Sequence, residues 1–157
     1  MSAESRPTHE PESPRPEAAP AREQDAADLA DAFQQTVAQY LIRHRSIVDI
    51  VSKLQESTAR VQRAVAKAVT VCGCLEIHAC KQTVPDPDGM SYAELKRYVQ
   101  THVDGRLCDH CRDVIETELG QAFFYAAALC EVLNLKASDI LAQEKQRLDT
   151  LGVYSLM

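Results

Sequence analysis

The sequence predicts an all-α fold: an antiparallel bundle of four to five helices behind a disordered N-terminal tail. Three observations predict it. Apolar residues recur at intervals of three and four along most of the 157 residues, the signature of helices with one buried face. Only one short stretch alternates in the manner of a strand. The expected helices are joined by short connections, which makes neighbours antiparallel.

The tail comes first. Residues 1–24 hold five of the seven prolines, and their only apolar residues are Met1 and four alanines. Such a segment cannot bury enough surface to offset its ordering entropy. The folding unit is therefore expected over 25–157 as one domain, of a size that supports a single moderate core. Order begins near Asp25, where Leu29, Phe33, Val37, Tyr40 and Leu41 make a helical stripe. Arg43, His44 and Arg45 follow and suit a helix C-terminus or a break.

Ser46, three residues before Asp49, is a plausible N-cap. Ile47, Ile50, Val51, Leu54, Thr58, Val61, Val65, Ala68 and Val69 then carry a second stripe, giving a helix over about 46–70. The pattern breaks at Val71. Cys72-Gly73-Cys74 reads as a turn, and Leu75, Ile77 and Ala79 alternate with Glu76 and His78. This is one extended segment, expected to be too isolated to build a sheet. Pro85-Asp86-Pro87-Asp88-Gly89 is loop chemistry. Ser91 and Glu94 form a capping box ahead of a short helix, about 92–102, which Asp104-Gly105 ends.

The clearest helix follows. Val114, Ile115, Leu119, Ala122, Phe123, Ala126, Leu129, Cys130 and Leu133 keep helical spacing until Asn134, a reasonable stop. A last helix over about 138–149 places Ile140, Leu141, Glu144, Leu148 and Leu151 on one side.

Composition excludes several classes. No run of roughly 18 apolar residues exists, so no membrane span is expected. The charged, Pro-rich N-terminus lacks the apolar region of a signal peptide. A cytoplasmic protein follows, in which cysteines read as metal ligands, redox thiols or core residues before structural disulfides. The formal charge of -6 argues against general nucleic-acid binding.

Two cysteine pairs carry the chemistry. Cys72-x-Cys74 and Cys108-x-x-Cys111 are separated by 33 residues, one pair at a helix end and one at a helix start. Zinc takes four ligands in a tetrahedron, and two thiolate pairs on separate elements supply them. Gly73 lets the backbone wrap so that both sulfurs of the first pair point inward. At the start of a helix, free N–H groups and the dipole favour thiolate in the second pair. A site of four thiolates has no open position and is structural. Iron–sulfur clusters also use four cysteines, Cys108-x-x-Cys111 could form a redox couple, and buried cysteines need bind nothing. His78, Cys80 and His110 lie close enough in sequence to replace a ligand, although the simpler reading leaves both histidines on polar faces. Cys130, inside the strongest apolar stripe, reads as core.

Other polar groups are less specific. Glu56 and Arg60 make an i, i+4 pair. Arg60, Arg63 and Lys67 form a basic stripe suited to a phosphate or an acidic partner, or simply a solvated helix face. Asp49 and Glu56 lie too far apart along the helix to grip one divalent ion without a third ligand.

The run from Glu118 through Leu129, with Asn134-Leu135 and Ile140-Leu141, resembles the second metal-binding helix of the MazG-like all-α nucleotide pyrophosphohydrolases. That resemblance implies Mg²⁺ held by an E-x-x-D motif, with Glu118 in the first position. Gln121 stands at the Asp position, and no E-x-x-E occurs between residues 26 and 75, where Glu56 is the nearest remnant. Over residues 30–154 the chain also resembles a small bacterial family of unknown function. That likeness rests on Leu54-Gln55-Glu56-Ser57, Cys72-Gly73-Cys74, Lys81-Gln82, Leu107-Cys108 to Cys111, and Thr150-Leu151-Gly152-Val153-Tyr154; it implies no activity.

The expectation is a zinc-stabilised helical module that acts on an unidentified protein partner, or on a second copy of itself. The alternatives are a divergent or inactive MazG-like nucleoside triphosphate pyrophosphohydrolase and a cysteine-based redox sensor.

Overall fold

The computed structural model describes residues 19–43, 45–83, 94 and 96–151. Among them run α1 (Ala19–Tyr40), α2 (Ile47–Lys67), a π-helical turn (Ala68–Cys72), β1 (Leu75–Ile77), β2 (Val103–Gly105), α3 (Asp109–Val132) and α4 (Ala137–Leu151). The helical fold is as expected. The Pro-rich tail lies outside the described residues as far as residue 18. Helix α1 begins at Ala19, six residues ahead of Asp25. Pro20 falls in its first turn, where a missing N–H costs no helical hydrogen bond.

Helices α2 and α3 form the main pairing. Ile50 shares a buried cluster with Ala127 and Ala128, while Ala64 and Ala68 share one with Cys111 and Ile115. Low numbers on α2 thus meet high numbers on α3, so the pair is antiparallel. Alanines at these contacts let the backbones approach closely. Helix α1 lies across the far end of α3, sealing Val37 and Leu41 into the first cluster. Its earlier apolar residues stay open, with Leu29 72% exposed.

Helix α3 stops where Asn134 takes a left-handed φ of 54°. The Leu135 N–H bonds the Cys130 carbonyl at 2.8 Å, satisfying a free helix-end acceptor. Gln34 of α1 secures this corner. Its amide donates to the Leu135 carbonyl at 2.8 Å and accepts from the Ala137 N–H at 2.8 Å. Ser46 sits at the N-cap of α2, without a side-chain capping bond.

Three expectations change. The segment after Cys74 is not isolated: β1 pairs antiparallel with β2, with Leu75 opposite Gly105, Glu76 opposite Asp104 and Ile77 opposite Val103. The helix expected over 92–102 falls in part outside the described residues. Of the remainder, Glu94 is helical, 96–98 form a turn and 99–102 are non-helical, so the helix does not extend as far as expected. Tyr98, Val99, Thr101 and Val103 favour extended backbone, and β1 offers the hydrogen bonds that a short exposed helix would lack. The ribbon continues past its ends, where the His78 N–H bonds the His102 carbonyl at 3.0 Å. The Gln82 side chain brackets the Gln100 backbone at 2.6 and 3.0 Å. Third, the long helix is α-helical only to Lys67 and widens into the π turn before Cys72.

Candidate metal centre

The π turn, the ribbon and the start of α3 meet at one end of the bundle. Each places a cysteine there. Cys72 closes the π turn, a rare geometry that concentrates at functional sites. Gly73 follows with a left-handed φ of 71°, reversing the chain so that Cys74 returns beside its neighbour. Cys74 then enters β1. From β2 the chain passes through Arg106 and Leu107 to Cys108, the N-cap residue of α3, and Cys111 lies in that helix's first turn.

The four sulfurs lie within 4.8 Å of one another. The Sγ atoms of Cys72 and Cys108 are 3.7 Å apart. For zinc–sulfur bonds of about 2.3 Å, the edge of a thiolate tetrahedron is roughly 3.8 Å. The cluster therefore has the dimensions to hold a metal ion. Among the described residues it is the one group of three or more His, Cys, Asp and Glu side chains whose ligand atoms converge in this way.

The surroundings grade the four thiols. The Cys111 N–H donates to the Cys108 sulfur at 3.5 Å. That backbone bond, aided by the Cys111 and Cys72 side chains, lowers the Cys108 thiol to about 7. Burial pushes Cys111 up to about 12; it sits with Ala64, Ala68 and Ile115. Cys72 is raised by its hydrogen bond with Cys108. A cation that takes all four as thiolates must therefore displace protons from Cys72 and Cys111. Cys74 points its sulfur toward the Ala68 carbonyl, 3.7 Å away.

Sequence reasoning missed the role of Gly105. It has a left-handed φ of 86°, and a Cβ there would lie 2.6 Å from the Cys74 carbonyl oxygen. Only glycine lets the two strands close against the first cysteine pair. A glycine three residues before a cysteine pair was the available signal; its strand partner was not visible. Leu75, Leu107 and Val114 complete the apolar floor.

The neighbouring candidates stand elsewhere. His78 Nε2 faces Glu76 at 3.3 Å and Asp104 at 3.7 Å on the ribbon. Cys80 is exposed, its thiol directed to Gln100. His110 is exposed in the first turn of α3. Cys130 is half-buried, and it lines an open apolar groove of about 610 Å³ with Leu29, Phe33, Phe123, Ile140 and Leu141.

Glu56, Glu118 and Gln121 meet across the α2–α3 interface, and Arg60 joins them. Its Nη1 bonds Glu56 at 2.7 Å, its Nε bonds Glu118 at 2.8 Å, and its Nη2 bonds the Gln121 side chain. Asp49 lies seven residues before Glu56 on α2. Arg63 and Lys67 are exposed on the same helix. None of the helices is long and apolar enough to cross a membrane, among the described residues.

No protein family, curated protein or solved structure matches the chain.

Proposed function

We propose that the protein is a zinc-stabilised helical module that works by contact with another protein, in the reducing environment of the cytoplasm. The single observation that carries this reading is the convergence of Cys72, Cys74, Cys108 and Cys111 within 4.8 Å. A full thiolate tetrahedron leaves no position for substrate, so zinc here ties the end of α2 to the start of α3 and its binding energy becomes folding energy. The interaction role draws on the apolar face of α1, α3 and α4, where Leu29, Phe123 and Leu141 are 72%, 64% and 61% exposed.

A metal-dependent pyrophosphohydrolase would need carboxylates free to share a divalent ion. Glu56 and Glu118 both bond Arg60 instead, which favours the structural module.

Elemental analysis of the purified chain tests the reading. The expected result is about one equivalent of zinc and a colourless protein. The Cys72→Ser/Cys108→Ser variant is expected to lose both metal and thermal stability. Protein that is metal-free yet fully folded overturns the proposal, and a coloured protein containing iron and sulfide replaces zinc with a cluster.

A further inference from the structure

The four thiols are not equally placed. Cys111 is 8% exposed and roofed by α2, while Cys72 is exposed at the end of its π turn. Gly73 beside it has open space around it. The Cys72 sulfur lies 3.7 Å from that of Cys108, on a different element. A disulfide needs the two sulfurs to close from 3.7 Å to about 2.05 Å, and the exposed Cys72 side chain is the one with room to move. Cys72 stands in a short terminal turn rather than mid-helix, where such a movement disturbs little packing.

We propose that Cys72 and Cys108 form a peroxide-sensitive pair whose oxidation to a disulfide ejects the metal ion. The inference rests on the zinc reading and adds regulation of that site. Hydrogen peroxide first oxidises the accessible Cys72 thiolate: the sulfur attacks one peroxide oxygen, the O–O bond breaks, and sulfenic acid and hydroxide form. The Cys108 thiolate then attacks the Cys72 sulfur and expels a second hydroxide, leaving the S–S bond. In sum two thiolates lose two electrons, and one peroxide is reduced to two hydroxides. The ion keeps only Cys74 and Cys111 and dissociates, and those two sulfurs take up protons.

The disulfide replaces one clip by another. It still joins the end of α2 to the start of α3, so oxidation removes the ion without separating the two helices. Chelation removes both ion and link. Oxidised protein is therefore expected to keep a higher melting temperature than chelated protein.

The experiment uses the zinc-loaded full chain, with metal content measured first. Hydrogen peroxide is titrated in while a chromogenic chelator follows zinc release, and non-reducing peptide mapping identifies the linkage. The expected result is loss of the bound zinc in step with a Cys72–Cys108 disulfide, and recovery on adding a dithiol and zinc. A Cys80→Ser/Cys130→Ala variant is expected to respond like the natural chain, since neither residue is in the cluster. Zinc retained while the exposed Cys80 becomes oxidised overturns the inference, and so does release with a Cys108–Cys111 linkage or with no disulfide. Both outcomes leave the zinc site standing. A chain that carries no zinc at the outset overturns the zinc reading and this inference together.

Discussion

At one end of the α2–α3 pair, Ile50, Val37, Leu41, Ala127 and Ala128 exclude water by side-chain packing alone. At the other end, Ala64, Ala68, Cys111 and Ile115 lie beneath four sulfurs and a two-stranded ribbon. The first end needs α1 to cover it. Among the described residues no third helix packs over the second, and a ribbon of three residues per strand is marginal in water by itself. One end of the helix pair is thus closed by apolar area from a neighbouring helix, and the other carries a cysteine cluster that could hold a metal ion. The polar middle belongs to neither: Arg60 crosses from α2 to Glu118 there, linking two cores that do not merge.

The sharpest way to break this comparison is to remove the ion. Structural zinc is worth roughly 10–16 kcal/mol in small zinc-dependent peptides. Chelation is therefore expected to produce the largest destabilisation. Hydrogen exchange should report it locally, with Leu75–Ile77 and Val103–Gly105 losing protection while the amides around Ala127 and Ala128 retain theirs. Equal loss at both ends would show that the two cores are one cooperative unit.

Ile50→Ala attacks the other end. Ile50 is 0% exposed, and truncating a buried isoleucine costs about 2–5 kcal/mol. Denaturant melts should show that loss with zinc stoichiometry unchanged. A variant that also sheds zinc would mean that packing at the α1 end is required to form the site.

Gly105→Ala is expected to have a smaller effect, confined to the metal end. It combines a left-handed φ with a Cβ that would meet the Cys74 carbonyl at 2.6 Å, and strain of this kind costs on the order of 1–3 kcal/mol. Competition with a chromogenic chelator should show weaker zinc binding. Unchanged affinity would remove the ribbon from the account of the site.

Phe123→Ser should do least to stability. The ring is 64% exposed, and surface substitutions usually change stability by no more than about 0.5 kcal/mol. A much larger loss in the melting curve would mean that this face is covered by the protein itself.

The helices were legible because an amphipathic period is local. Ile50, Leu54, Val61 and Ala68 keep a shared face over five turns, whatever packs against them. The stop at Asn134 was legible from its tolerance of left-handed backbone. Cys72, Cys74, Cys108 and Cys111 were legible as candidate ligands because short pairs at helix ends satisfy tetrahedral spacing within each pair. The ribbon was not legible. Residues 99–105 carry a capping box upstream and no strict alternation, and their extended form depends on hydrogen bonds to β1, which is distant in sequence.

By itself, then, the sequence determined the all-α class, the order of the main helices and the four cysteines. Each of these follows from residues within a few turns of one another. Tertiary structure decided that the two cysteine pairs meet, that Cys111 is buried while Cys72 is open, and that Gly105 must be glycine. It also decided that Leu29 and Phe123, apolar and in phase with the helices, face an open groove. The reason is the same in each case. Local spacing fixes which face a side chain takes, but only the packing of distant segments determines what covers that face.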